Sequence, residues 1–207
     1  MIIFSTSANR FIVETFPLLR KNIDGMRIEI ISGSANQTSI TFRAALALQS
    51  WLAKATTHEI GLIDCRTFRL PALEKVFNSV DNTPDEFKHI AQRMFGADGF
   101  ILVTPEYNGS FSPALKNLLD HFPKQLHKPF GIVTASNGSL GGMRAAQQLI
   151  LLSAALFGIV SPQLLIIPHV DKKFEEDGTL LDDKFYYNIH NFVTEYLWLA
   201  ERLVQQP

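Results

Sequence analysis

From Arg27 onward the chain alternates short apolar runs with longer stretches whose apolar residues recur every three or four positions, and this rhythm restricts the fold more than any other feature. Residues 27–32, 59–64, 99–104, 130–135 and 163–167 are short apolar runs that predict strands. The first helix is predicted from Ile40, Ala44, Ala47, Leu48, Trp51, Leu52 and Ala55, which share one face. The second is predicted to open at Thr83-Pro84-Asp85-Glu86, with Thr83 as N-cap, proline at the first helical position and two acids near the positive helix end. Its stripe is Phe87, Ile90, Ala91, Met94 and Phe95. Ser112 and Pro113 start a third helix whose Leu115, Leu118, Leu119 and Phe122 face the core. A fourth helix is expected over residues 143–157 and a last one over 182–205, with 171–183 as a solvated connection.

Strands and helices in strict alternation predict an α/β fold whose parallel sheet is covered on both faces. Right-handed crossovers restrict such a chain to doubly wound sheets, and five strands match the flavodoxin-like order 2-1-3-4-5. A length of 207 residues suits one domain. Residues 1–25 lie outside the alternation and are expected to be an extension, with 26–207 forming the domain.

A formal net charge of -1 with no Lys/Arg run leaves no field to neutralise a phosphate backbone, so no nucleic-acid partner is expected. No apolar stretch approaches the roughly 20 residues of a membrane span, and the first residues lack the basic and cleavage regions of a signal peptide. The lone Cys65 can form no internal disulfide and is expected to be a buried or partly buried spectator; the cytoplasm is the expected compartment. His58, His89, His121, His127, His169 and His190 show no metal-ligand spacing and are expected at the surface or as caps.

Ligands of doubly wound sheets sit beyond the carboxyl ends of the strands, which directs attention to three loops. The first, residues 33–39, offers Ser34, Asn36, Thr38 and Ser39 before Ile40 at a helix start; it can hold a monophosphate on free amides or be an ordinary capped turn. The second carries Pro105, Glu106, Tyr107, Asn108 and Gly109, where proline and glycine permit a sharp turn that presents amides to a flat ring and Tyr107 can cover an edge or face. The third, with Ser136, Asn137, Gly138, Gly141 and Gly142, can form a nest of amides for partial negative charge.

The run Pro105-Glu106-Tyr107-Asn108-Gly109-Ser110-Phe111-Ser112-Pro113-Ala114-Leu115-Lys116-Asn117-Leu118-Leu119-Asp120 resembles the signature of the NADPH-dependent FMN reductase family, which includes quinone, azo-dye and chromate reductases. Gly141-Gly142-Met143-Arg144 is similar to that family's Gly-Gly-x-Arg stretch, and the resemblance covers residues 27–167. It implies FMN as cofactor, NADPH or NADH as electron donor, and a small acceptor such as a quinone, an azo compound or free flavin. It further implies that Ser34, Asn36, Thr38, Ser39 and Ile40 hold the phosphate and that Pro105, Glu106, Tyr107, Asn108 and Gly109 lie against the isoalloxazine near N5. Ser136, Asn137, Gly138 and Gly141 would then face its N1 and C2 carbonyl edge. A homodimer or homotetramer is implied, with the helices after the third and fourth strands at the interface; Lys116 and Asp120 are expected in helix capping or a subunit contact, and Glu106 in a polar contact across that interface. Because flavin carries the chemistry, no catalytic side chain and no metal are expected.

One position departs from the family pattern. Asn36 stands where members commonly carry Arg, which predicts FMN binding weaker by roughly ten- to a hundredfold unless Arg43 or another subunit compensates. The sequence leaves three other readings open. An FMN-binding electron carrier is opposed by the near-neutral charge. A Rossmann dehydrogenase is suggested by Asp64 at the end of the second strand and opposed by the absence of GxGxxG. The third is a redox-inactive flavodoxin-like binding protein, suggested by Asn36.

Overall fold

The computed structural model describes residues 25–204. In chain order the elements are β1 (Arg27–Ser32), α1 (Thr41–Ala55), β2 (Glu59–Asp64), α2 (Lys88–Gly96), β3 (Gly99–Thr104), β4 (Glu106–Tyr107), β5 (Ser110–Phe111), α3 (Pro113–His121), β6 (Pro129–Ala135), α4 (Met143–Ala155), β7 (Ile159–Val160), β8 (Leu165–Ile167) and α5 (Tyr186–Val204). The main sheet is parallel, in the order β2-β1-β3-β6, with β7 and β8 sharing the fifth position. This is the expected doubly wound, flavodoxin-like arrangement.

Alternate residues of each strand serve opposite faces, so two cores form. On one face Ile28, Ile30, Ile101, Val103 and Val133 pack with Ala44, Leu48 and Leu52 of α1 and with Ile189, Phe192 and Tyr196 of α5. On the other, Ile31, Phe100, Leu102, Phe130 and Ile132 pack with Ile90 and Met94 of α2, Leu115, Leu118 and Leu119 of α3, and Leu149 of α4. The central strands β3 and β6 are buried along their whole length because helices cover both their faces.

The fifth strand is divided. β7 pairs with the start of β6 at Pro129 and Phe130, and β8 with its end from Val133 to Ala135. Pro162 lies between them and has no amide to donate to a ladder, so the expected strand over 163–167 is only its second piece. Thr83 does not cap the second helix either. Its hydroxyl donates to the Ser79 carbonyl at 2.8 Å, residues Asp85–Phe87 form a 3-10 turn, and the α-helix starts at Lys88. The connection over 171–183 is anchored rather than merely solvated, because Phe174 is buried against Phe185 and bridges to Leu180. His121 and His58 are likewise not surface residues: His121 is buried with Nδ1 2.8 Å from the Asn117 carbonyl, and the His58 side chain is enclosed near Glu201.

The expected extension lies outside the described residues except for Gly25, and Gln205 at the expected end of the last helix lies outside them too. Met26 is already part of the core, and its carbonyl accepts from the Glu59 amide at 2.8 Å. Among the described residues no helix is long and apolar enough to cross a membrane.

Candidate functional site

β1, β3 and β6 are neighbours in the sheet, so the loops that leave their carboxyl ends meet. They enclose a cleft of about 340 Å³ lined by Ser34, Asn36, Thr38, Ser39, Ile40, Pro105, Glu106, Tyr107, Ser136 and Asn137, within the range of roughly 300–1,000 Å³ usual for small-molecule sites. Thr41 and Ala135 also line it and escaped the sequence reading. They are joined by a hydrogen bond from the Thr41 hydroxyl to the Ala135 carbonyl at 3.3 Å, a pairing between distant segments with no local signal. Asn108, Gly109, Gly138 and Gly141 belong to the same loops but stand back from the lining.

In the first loop, Asn36 shapes the turn. Its Oδ1 accepts from the amide and the hydroxyl of Thr38, each at 3.0 Å, and its carbonyl accepts from the Ser39 amide at 3.0 Å. The amides of Ile40, Thr41 and Phe42 have no acceptor among the described residues, and α1 carries neither a side-chain cap nor an acid in its first turn. The start of α1 is therefore an open positive end. Ser39 Oγ is buried beside it without a hydrogen-bond partner, and the buried Ser34 hydroxyl only accepts, from the Asn36 amide at 3.3 Å. Two hydroxyls with protons to give and a free helix end form a cradle for an anion. Arg43 points elsewhere: its guanidinium donates to the Phe174 carbonyl at 3.1 Å and lies 3.6 Å from Glu176.

The second loop is a two-residue hairpin in which β4 and β5 pair through Asn108 and Gly109, at φ 50° and 79°. Asn-Gly is the sequence that supplies two such angles most readily. Ser112 ties this loop to the first by donating to the Gly33 carbonyl while accepting from the Leu115 amide at 3.1 Å, and the Thr104 hydroxyl accepts from the Ser112 amide at 3.0 Å. Tyr107 is half exposed at the cleft edge.

In the third loop Gly141 and Gly142 both have positive φ, and the Gly141 backbone packs on β8, where a Cβ would lie 2.7 Å from Ile166 Cγ2. The amides of Asn137, Gly138 and Ser139 have no acceptor among the described residues. Glu106 does not wait for an interface partner. Its carboxylate accepts from the amides of Arg144 at 3.1 Å and Ala145 at 3.4 Å, with the Arg144 guanidinium 3.6 Å away, and so caps α4 within the same chain.

Other polar residues singled out in the sequence lie outside the cleft lining. Asp64 is held by Arg66, which stacks on the Phe42 ring, and Lys116 pairs with Asp120 along α3. Burial pushes the Cys65 thiol up to about 12, with the Asp64 charge adding to the effect, so it stays protonated and unreactive. No group of side chains suited to a metal ion occurs among the described residues.

The family model described as NADPH-dependent FMN reductase matches residues 26–172. An FMN-dependent NADPH-azoreductase of Staphylococcus haemolyticus is 31% identical over 174 residues, covering 80% of this chain and 90% of that protein. Two solved structures share the fold. The flavoenzyme NAD(P)H:(acceptor) oxidoreductase FerB of Paracoccus denitrificans superposes with a TM-score of 0.69 at 19% identity, covering 86% of this chain and 98% of FerB. A flavodoxin of Pseudomonas aeruginosa gives 0.51 at 18% identity, covering 83% and 99%.

Proposed function

The chain belongs to the NADPH-dependent FMN reductase family, and from that premise we propose that the cleft at the carboxyl ends of β1, β3 and β6 holds FMN and serves electron transfer from a reduced nicotinamide to a quinone, an azo compound or free flavin. The observation that carries this assignment is the buried, unpartnered Ser39 hydroxyl beside the open start of α1, which suits a phosphate monoester. Ser34, Asn36, Thr38, Ser39 and Ile40 would hold the phosphate, residues 105–109 the ring, and Ser136, Asn137, Gly138 and Gly141 its polar edge. Bound FMN would supply two-electron redox chemistry between the reduced nicotinamide and the acceptor.

The chain's own residues provide binding and shape. The free amides of Ile40, Thr41 and Phe42 and the hydroxyls of Ser34 and Ser39 neutralise and orient the phosphate. The Asn108-Gly109 turn fixes the position of Pro105 and Tyr107. The amides of Asn137, Gly138 and Ser139 favour negative charge on the facing ligand edge. The cleft edge at the half-exposed Tyr107 is where donor and acceptor would alternate.

A second copy of the chain is the partner we assign to the exposed side of α4, where Met143 and Leu151 lie in the open, with Leu140 exposed in the loop before the helix and Phe157 just after it. The cytoplasm is the compartment we assign. The purified protein should show flavin absorbance that bleaches on anaerobic NADPH and returns with a quinone or azo dye, with parallel-line kinetics; a colourless protein that binds no added FMN would refute the assignment. Leu151→Glu should lower the oligomeric state in sedimentation, whereas an unchanged state would remove α4 from the interface.

A further inference from the structure

Two helices begin at the cleft, and their ends are treated in opposite ways. At α1 the first amides are open. At α4 every early amide has an acceptor: Met143 donates to the Leu140 carbonyl at 3.1 Å, Arg144 and Ala145 to Glu106, and Ala146 to the Gly142 carbonyl at 3.1 Å. α4 has no side-chain cap of its own and no acid in its first turn, so the closing charge is brought in by the hairpin residue Glu106. The Glu106 side chain is only 17% exposed and borders the cleft, whereas Arg144 is 66% exposed and offsets it from solvent at 3.6 Å.

We propose that Glu106 is a positioning residue that also sets the reducing strength of the site. Its carboxylate locks the hairpin onto α4, cancels the positive end of that helix and places a fixed negative charge on the cleft wall. A ligand that becomes more negative on reduction is therefore stabilised less than it would be against an open helix end. The assignment of FMN to the cleft underlies this inference, and the effect is to keep bound flavin a strong donor toward poor acceptors.

Glu106→Gln retains the shape and one acceptor while removing the charge. In anaerobic redox titrations of the FMN-loaded protein, its affinity for reduced over oxidised FMN should rise roughly tenfold, moving the potential in the positive direction. Re-oxidation by an azo dye should slow relative to reduction by NADPH. Arg144→Gln, a change at an exposed side chain, should move the potential the opposite way by a smaller amount, and it decides the matter by itself if Glu106→Gln melts below the working temperature as apoprotein. FMN bound with wild-type potential in every variant that folds would reduce Glu106 to a structural cap and overturn the inference alone. Failure of the wild type to bind FMN would instead overturn the assignment of the cleft and the inference with it.

Discussion

Gly61 on β2 lies opposite Glu29 on β1, and the Glu29 carboxylate occupies the space that a side chain at position 61 would fill. Glu29 is buried in the sheet and is held by Arg93 of α2, whose Nε donates to Oε1 at 2.9 Å and whose second nitrogen reaches Oε2. Gly61→Ala should therefore destabilise by about 2–4 kcal/mol, because a methyl group displaces a buried charge from its partner. Arg93→Met should cost about 2–3 kcal/mol, reduced by the partial exposure of Arg93, and Glu29→Met added to it should recover most of the loss. Denaturant midpoints of the three variants check this, and a double variant no better than Arg93→Met would contradict it.

Tyr196 carries its hydroxyl into the core without a hydrogen-bond partner, close to Gly99 and Pro129. Tyr196→Phe removes an unsatisfied polar group and keeps the ring, so it should raise stability by about 1 kcal/mol in thermal or urea unfolding. A loss of that size would mean that the hydroxyl is satisfied in solution.

The Cys65 thiol is raised in the folded chain from 9.0 to about 12, chiefly by burial and secondarily by Asp64. Such a group gives its full stabilisation below its unfolded value and loses it as pH climbs, since the unfolded thiol ionises first. Stability should fall between pH 9 and pH 12 by on the order of 4 kcal/mol from this residue, at about 1.4 kcal/mol per unit. The difference between the unfolding curves of wild type and Cys65→Ala across that window isolates the effect; parallel curves would rule it out.

Asn36 Oδ1 builds the turn at Thr38, yet it brings no charge to the cradle. Asn36→Arg should tighten FMN binding by roughly tenfold, since a charge-assisted contact of about 1.5–3 kcal/mol exceeds the loss of about 1 kcal/mol from the turn. Calorimetric titration of the apoprotein measures it, and unchanged or weaker affinity would show that the turn matters more than the missing cation.

A chain beginning at Met26 should fold and bind FMN as the full chain does, because Met26 itself enters the core and pairs with Glu59 at the edge of the sheet. Circular dichroism and FMN titration of the shortened chain test this, and loss of both properties would make residues 1–25 integral to the domain.

The order of the main strands and helices, the three loops and a sharp turn over residues 105–109 were legible in the sequence because each follows from local periodicity, proline and glycine geometry, or a contiguous signature, whereas the β4-β5 pairing across that turn was not. The resemblance carried by Pro105–Asp120 added the cofactor, which no periodicity could supply. Three features needed the assembled molecule. Glu106 finds its partners 38 and 39 residues away at the start of α4, Glu29 is accommodated only because the neighbouring strand places Gly61 beneath it, and Arg43 turns to the Phe174 carbonyl instead of the loop after β1. Local rules specify where the backbone bends and which face is apolar. They leave open which charge meets which, since that depends on strand register and on where helix ends fall in space, and these are decided when the sheet and its two helical layers pack together.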